Sequence, residues 1–239
     1  MEDKITSLQN VWVKKVVSLH TKSERDKEKM IILEGDKLIE GAIESGYEIV
    51  KMFSLDGRLS STIVDEKVIK KMSTTSSPTD VIAIAKKPVW KFENPQRIIL
   101  LDNIKDAGNL GTIIRTACAF GIDAILLYGD CVDEFSPKVL RASVGCAFKI
   151  PVIRVTKTDI IELRQKYEFI STVVNSQRRM EDVDFSRPFV LMFGSEANGL
   201  NEFLLNIHDA SFTLPMKNSV ESLNLAMSVG ICLWELAKI

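Results

Sequence analysis

The sequence predicts an α/β protein in which a mostly parallel sheet with helices on both faces (residues 98–239) follows a small α/β unit (residues 1–90). Three observations predict it. From Ile98 onward, short apolar runs alternate with segments of helical period, the rhythm of βαβ units whose strands are buried on both faces. Glycine-containing turns follow two of those apolar runs, at 108–111 and 194–199. A charged stretch with two prolines, Lys86-Lys-Pro-Val-Trp-Lys-Phe-Glu-Asn-Pro95, separates the halves and reads as an inter-domain linker, with the boundary at 91–97. A chain of 239 residues has room for one large or two small domains with a full core.

In the first unit the pattern predicts a helix over 5–19, a strand over 30–33 and a helix over 35–45 starting near Asp36. A strand over 49–53, a helix over 65–72 and a strand over 81–85 follow. The second unit opens with a strand over 98–101, a turn over 108–111 and a helix over 111–120 that Gly121 stops. Then come strand 124–128, helix 136–143, strand 150–155, helix 159–167, strands 169–174 and 189–193, helix 201–207 and strand 210–214. The last helix runs over 222–237. Its apolar residues point nearly every way around the axis, so the reading is a helix buried within the fold or against a second subunit.

Bulk charge does not announce a polyanion. The formal net charge is -1, with 16 Lys/Arg against 15 Asp/Glu in residues 1–95 and 15 against 17 in the rest. Any such site is a local patch, and Lys14, Lys15, Lys22, Arg25, Lys27 and Lys29 form the best candidate. Four cysteines without C-x-x-C spacing argue against a zinc site or a disulfide framework and fit reduced thiols in a cytoplasm. No segment approaches a membrane span, and no signal-type apolar core is present.

Chemistry-bearing residues fall in three segments. In Asp106-Ala-Gly-Asn-Leu-Gly-Thr-Ile-Ile-Arg115, the residues Ile113, Ile114, Ala117 and Phe120 form one stripe, and Arg115 points nearly opposite. With Asn109 in the preceding turn, this builds a site for something anionic. In Leu191-Met-Phe-Gly-Ser-Glu-Ala-Asn-Gly-Leu200, an apolar strand runs into Gly194, whose bare backbone a ligand can approach, and Glu196 sits where ligands bind such sheets. In the third, Leu214-Pro-Met through Ser222-Leu-Asn224, Ser222 is placed to cap the last helix with Asn224 in its first turn. Read singly, Arg115 and Glu196 are equally solvated surface charges and Ser222 an ordinary cap. Phosphate-loop and dinucleotide-binding glycine motifs are absent. Only His20 and His208 exist, both outside these segments, which disfavours a histidine base or a histidine-rich metal site.

Together the three segments resemble the SpoU, or TrmH-like, family of SPOUT RNA 2′-O-methyltransferases. The matching motifs are Asn109-Leu-Gly-Thr-Ile-Ile-Arg-Thr-Ala117, Gly194-Ser-Glu-Ala-Asn-Gly-Leu200, and Leu214-Pro-Met with Ser222-Leu-Asn224, covering residues 98–239. The first unit looks like the small ribosomal-protein-like domain that often precedes this one and binds RNA. Departures are small: Thr112 stands where many members have alanine, and Ala197-Asn198 vary a tolerant pair.

The resemblance implies a C-terminal segment threaded as a deep trefoil knot, which periodicity could not reveal. It implies S-adenosylmethionine held by Gly194, Leu214, Met216 and Leu223, with Thr172–Val174 nearby, and a homodimer with the site near its interface. Asn109, Arg115, Glu196, Ser222 and Asn224 are the implied catalytic set, with no metal and no membrane. The implied reaction is methyl transfer to a ribose 2′-hydroxyl, with ribosomal RNA as the expected target in the cytoplasm. Transfer RNA, methylation of a base, and a non-catalytic RNA-binding protein on the same scaffold are the alternatives. A guanidinium is a poor base because it stays protonated in proteins. The physical expectation is that Arg115 grips a phosphate and acidifies the hydroxyl electrostatically, oriented by Asn109 and Glu196.

Overall fold

A computed structural model of the protein describes residues 4–217 and 222–238. The chain divides into two compact units: residues up to Val89 together with Phe135–Phe148, and Trp90–Glu134 together with the chain from Lys149 on. Helix Pro137–Ser143, read from the sequence as part of the second domain, thus belongs to the first unit.

The helix predicted over 5–19 forms only as α1 (Val11–Ser18), and a second helix, α2 (Lys22–Glu28), follows beyond it. The Asn10 side chain accepts the Trp12 amide at 2.8 Å and so starts α1 late, while Ile5 forms a β-bridge with Val64. Thr21 caps α2, and Lys29 in the left-handed region ends it. Strands β1 (Met30–Glu34), β2 (Ile49–Ser54), β3 (Thr62–Ile63) and β4 (Val81–Lys86) form a sheet ordered β1-β4-β2-β3. Helices α3 (Asp36–Glu44) and α4 (Glu66–Met72) complete the unit's alternation. Val13, Val16, Leu19, Phe53, Val68, Met72, Ile82 and Ile84 make its core.

The basic run is less available than its composition implies. Arg25 is buried and donates to the carbonyls of Leu19 and His20 at 2.6 and 2.8 Å, stitching the α1–α2 corner. Lys15 pairs with Glu28, whereas Lys14, Lys22, Lys27 and Lys29 stay exposed.

Glu34 closes β1 as a buried carboxylate. It accepts from Ser73 Oγ at 2.7 Å, from the Thr74 amide at 3.1 Å and from the Thr74 hydroxyl. Arg141, on α6 (Pro137–Ser143), lies 3.5 Å from it and donates to Thr74 Oγ1 at 3.0 Å, which anchors α6 to this unit.

The second unit carries six parallel strands: β5 (Arg97–Asp102), β6 (Ala124–Tyr128), β7 (Val152–Val155), β8 (Glu168–Thr172), β9 (Phe189–Phe193) and β10 (Ala210–Phe212). Their order is β10-β8-β9-β5-β6-β7. The strand order reverses between β5 and β9, so the turns leaving those strands diverge from one switch point at the carboxyl edge. Helices α5 (Ala107–Ala119), α7 (Lys157–Leu163), α8 (Glu202–Ile207) and α9 (Leu225–Leu236) flank the sheet. The strands fall where the apolar runs put them, trimmed at β7, β8 and β10, and α7 starts earlier because Thr156 and Asp159 form a reciprocal capping box.

Helix α5 packs on α9, with Phe120 edge-on to Trp234 at 6.2 Å. The described residues cover one side of α9. Leu225, Val229, Cys232, Leu233 and Leu236 are buried, while Met227 and Trp234 are 61% and 56% exposed and Ile231 is also open. Burial pushes the Cys232 thiol up to about 12, and no disulfide links Cys118, Cys131, Cys146 and Cys232. Among the described residues no helix is long and apolar enough to cross a membrane, and no group of three or more His, Cys, Asp or Glu is placed to hold a metal.

Removing the Glu34 carboxylate strands several donors at the end of β1. Glu34→Ala is therefore expected to lower stability by about 1–3 kcal/mol, read as a shift of the urea midpoint at unchanged slope. A midpoint at the wild-type value would show these donors to be satisfied by solvent.

Candidate active site

Asp106 accepts the Asn109 amide at 2.7 Å, so α5 begins at Ala107. The glycines of 108–111, expected in a turn, instead form the first helical turn. Gly108 is required there because a Cβ would come within 2.9 Å of the capping Asp106 oxygen. The missed signal was an ordinary one, an aspartate three residues before the captured amide. Asn109 consequently projects from the first turn of α5. Further along, Ile113, Ile114 and Ala117 are buried and Arg115 is exposed, as the stripe required.

The turn after β9 closes on itself. Ser195 and Gly199 exchange backbone hydrogen bonds of 3.1 and 2.9 Å, with Gly199 in the left-handed region at φ 64°. A Cβ on Gly194 would collide with the backbone of Gly199 and Leu200. The bare Cα of Gly194 therefore serves the close approach of its own turn. That packing aims Glu196 at α5, where its carboxylate accepts from Asn109 Nδ2.

The third segment arrives from the other end of the unit. Asn224, not Ser222, caps α9, its Oδ1 accepting from Met227 N at 3.3 Å. Its Nδ2 donates to Asn109 Oδ1 at 3.0 Å. Asn109, Glu196 and Asn224, one from each segment, thus form a single hydrogen-bonded cluster. Arg115 is not in it. Its guanidinium has no hydrogen-bond or ion-pair partner among the described residues, so neither Asn109 nor Glu196 orients it here.

Beside the cluster lies a cavity of about 270 Å³, close to the lower end of the ~300–1,000 Å³ range of small-molecule sites. Thr172, Leu214, Met216, Ser222 and Leu223 all line it, together with Asn198–Leu200 of the β9 turn. Ser222 therefore sits on the cavity wall, apart from the three clustered side chains. Two lining hydroxyls are already engaged: Thr172 Oγ1 donates to Met192 O at 3.0 Å and Thr213 Oγ1 to Val174 O at 2.9 Å. No lining residue among those described is charged. Such a wall suits an apolar or heteroaromatic group with polar edges read by backbone. Leu205 and Ser228 also line it, from α8 and α9, and no local pattern marked them.

The polar cluster sits where the β5 and β9 turns diverge, and the cavity opens among the segments that leave β8, β9 and β10, the edge at which open parallel sheets hold small ligands. Residues 96–234 match the model of the SpoU rRNA Methylase family, and residues 10–83 match that of the MRM3-like substrate binding domain. The chain belongs to the SpoU rRNA methylase family. It is 34% identical to an uncharacterized tRNA/rRNA methyltransferase of Synechocystis, over 97% of this chain and 92% of that one. It is 30% identical to the 23S rRNA (guanosine(2553)-2′-O)-methyltransferase RlmP of Bacillus subtilis, over 97% and 98%. The structure of an AdoMet-bound rRNA methyltransferase from Sinorhizobium meliloti superposes with a TM-score of 0.90 at 30% identity, covering 99% of this chain and 97% of that one.

Because the space at Gly194 is filled by backbone, Gly194→Ala is expected to lower stability by about 1–3 kcal/mol, measured by thermal or urea denaturation. A wild-type value would show that the turn opens at no cost.

Proposed function

We propose that the protein transfers the methyl group of S-adenosylmethionine to a ribose 2′-hydroxyl of ribosomal RNA, in the cytoplasm and without a metal. The observation that carries this reading is the convergence of Asn109, Glu196 and Asn224 beside a cavity whose described lining is uncharged, with Arg115, which has no partner among the described residues, further along the helix that bears Asn109. The names and family of its relatives supply the class of reaction.

The cavity fits the cofactor. Its apolar wall accepts the adenosine, and the backbone around Leu214 and Met216 offers polar groups to the ring edges, with Thr172, Leu223 and the Gly194 turn bounding it. When bound there, S-adenosylmethionine supplies an electrophilic methyl on sulfonium. The chain's own residues do the rest. Arg115 binds a phosphate beside the acceptor nucleotide and stabilises negative charge growing on the 2′-oxygen. The guanidinium keeps its protons, so phosphate or water takes the hydroxyl proton. Asn109, held between Glu196 and Asn224, presents fixed dipoles to the ribose, and Ser222 shapes the wall. A 2′-hydroxyl as the acceptor selects RNA over DNA.

Three further elements belong to the proposal. Residues 1–90 form the RNA-binding domain, joined through 91–97 to the methyltransferase domain at 98–239, a reading that the substrate-binding-domain match supports. The C-terminal segment threads a trefoil knot, supported by its path from edge strand β10 past the β9 turn to α9, which packs on α5. The protein is a homodimer, with Met227, Ile231 and Trp234 of α9 in the interface. Their common stripe on an otherwise apolar helix supports this.

Tritiated S-adenosylmethionine with total RNA tests the reaction. Label is expected in ribosomal RNA within alkali-resistant dinucleotides, and Arg115→Ala is expected to cut the rate about 10²–10³-fold. Label on nucleobases, label in transfer RNA alone, or no label at all would overturn the reading. For the dimer, Trp234→Lys should shift the sedimenting species to the monomer; an unchanged dimer would place the interface elsewhere.

A further inference from the structure

One buried charge in the second unit lies outside the cluster and the cavity. Asp102, the last residue of β5, is 1% exposed and has no ion-pair partner among the described residues. Its carboxylate accepts three hydrogen bonds. The Asn201 amide and Asn201 Nδ2 both reach Oδ2 at 2.8 Å, and Asn103 Nδ2 reaches Oδ1 at 2.6 Å.

Each donor is itself fixed. Asn201 caps α8, its Oδ1 taking the Leu204 amide at 3.1 Å. Asn103 stands in the left-handed region at φ 57°, with its Oδ1 accepting from the Asp130 amide at 2.9 Å and its own amide donating to Tyr128 O at 3.0 Å. A side chain on Gly129 would collide with the Asn103 carboxamide, so the residue after β6 is shaped to this network too. The network joins the carboxyl ends of β5 and β6 to the residue at which the β9 turn becomes α8.

A buried charge without a counter-ion persists only where its hydrogen bonds are complete. Its placement here has a consequence for the site. Asn201 directly follows Asn198–Leu200, which line the cavity, and Glu196 lies in the same turn. The β5–α5 segment and the β9 turn are therefore tied twice. One tie, Asn109 to Glu196, is exposed at the site and open to exchange with a substrate. The other, Asp102 to Asn201, is sealed.

We infer that Asp102 is a positioning residue that sets the register of the β9 turn against α5 and thereby shapes the cofactor cavity. This rests on the reading of that cavity as the S-adenosylmethionine site. Asparagine at 102 keeps the shape but has one acceptor oxygen in place of two, so it turns an NH₂ either toward the two Asn201 donors or toward Asn103 Nδ2, and the network that holds the tie loses at least one bond with little change in volume.

The test compares D102N with D123N. Asp123 likewise accepts two amides, those of Gln96 and Arg97 at 2.7 and 2.9 Å, but at the opposite end of β5. Relative to D123N, D102N is expected to raise the KM for S-adenosylmethionine tenfold or more, with the KM for RNA within twofold of wild type. S-adenosylhomocysteine affinity by calorimetry should weaken in parallel. The double variant D102N/N201D, which keeps an oxygen to cap α8, should be no worse than the worse single, since both substitutions act on one tie. A smaller rise, an equal rise in D123N, or additive effects would overturn the inference. If D102N does not fold, N201D, which keeps an oxygen to cap α8 and drops the Nδ2 donor to Asp102, is judged by the same tenfold criterion. Wild-type protein that binds no S-adenosylmethionine overturns the underlying reading instead, an outcome distinguishable because no variant is then needed.

Discussion

A parallel sheet sends the carboxyl end of every strand to one edge, and in this protein β5 and β9 are neighbours there. The rest of the site depends on that adjacency. Residues 109 and 196 are 87 apart in the chain, and 109 and 224 are 115 apart, yet all three side chains share hydrogen bonds. No loop carries the cluster alone. Each side chain leaves a different element: the first turn of α5, the turn after β9 and the cap of α9. The geometry is thus inherited from strand pairing, which is rigid, and the loops need only be short and correctly capped.

Capping chemistry converts that adjacency into a site. Asp106 begins α5 early enough for Asn109 to project from its first turn. Asn224 ends the approach to α9 with one amide oxygen and offers its NH₂ to Asn109. One asparagine therefore terminates a helix and builds the cluster, so helix stability and site geometry are coupled at this residue. The division of charge follows the same economy. Among the described residues the cavity wall is neutral, Glu196 is held by an amide, and Arg115 has no partner to leave before it meets an anion. A guanidinium without an internal partner has no bond to break before it binds phosphate.

Some expectations met their limits for identifiable reasons. The helix expected over 5–19 shortened to 11–18 because Asn10 offers a cap that starts it late, and Thr21 caps a separate helix beyond it. The basic run lost Arg25 to backbone carbonyls, a use that composition does not reveal. Ser222 and Asn224 are both good caps, and nothing local decides between them; packing of Leu225 and Ala226 does. Gly194 was expected to bare its backbone to a ligand; in the structure the atoms packed against its Cα belong to Gly199 and Leu200.

The sequence by itself determined the strands of the second unit, the outward face of Arg115 and the three segments that meet, because alternation and helical period are local and survive without a partner. Only the tertiary structure decided which side chains touch. It placed Ser222 on a wall and Asn224 in the cluster, put helix α6 in the first unit, and left the Met227, Ile231 and Trp234 face of α9 uncovered by the described residues. Those outcomes depend on strand order and on elements a hundred residues apart, and short-range pattern carries no information about either.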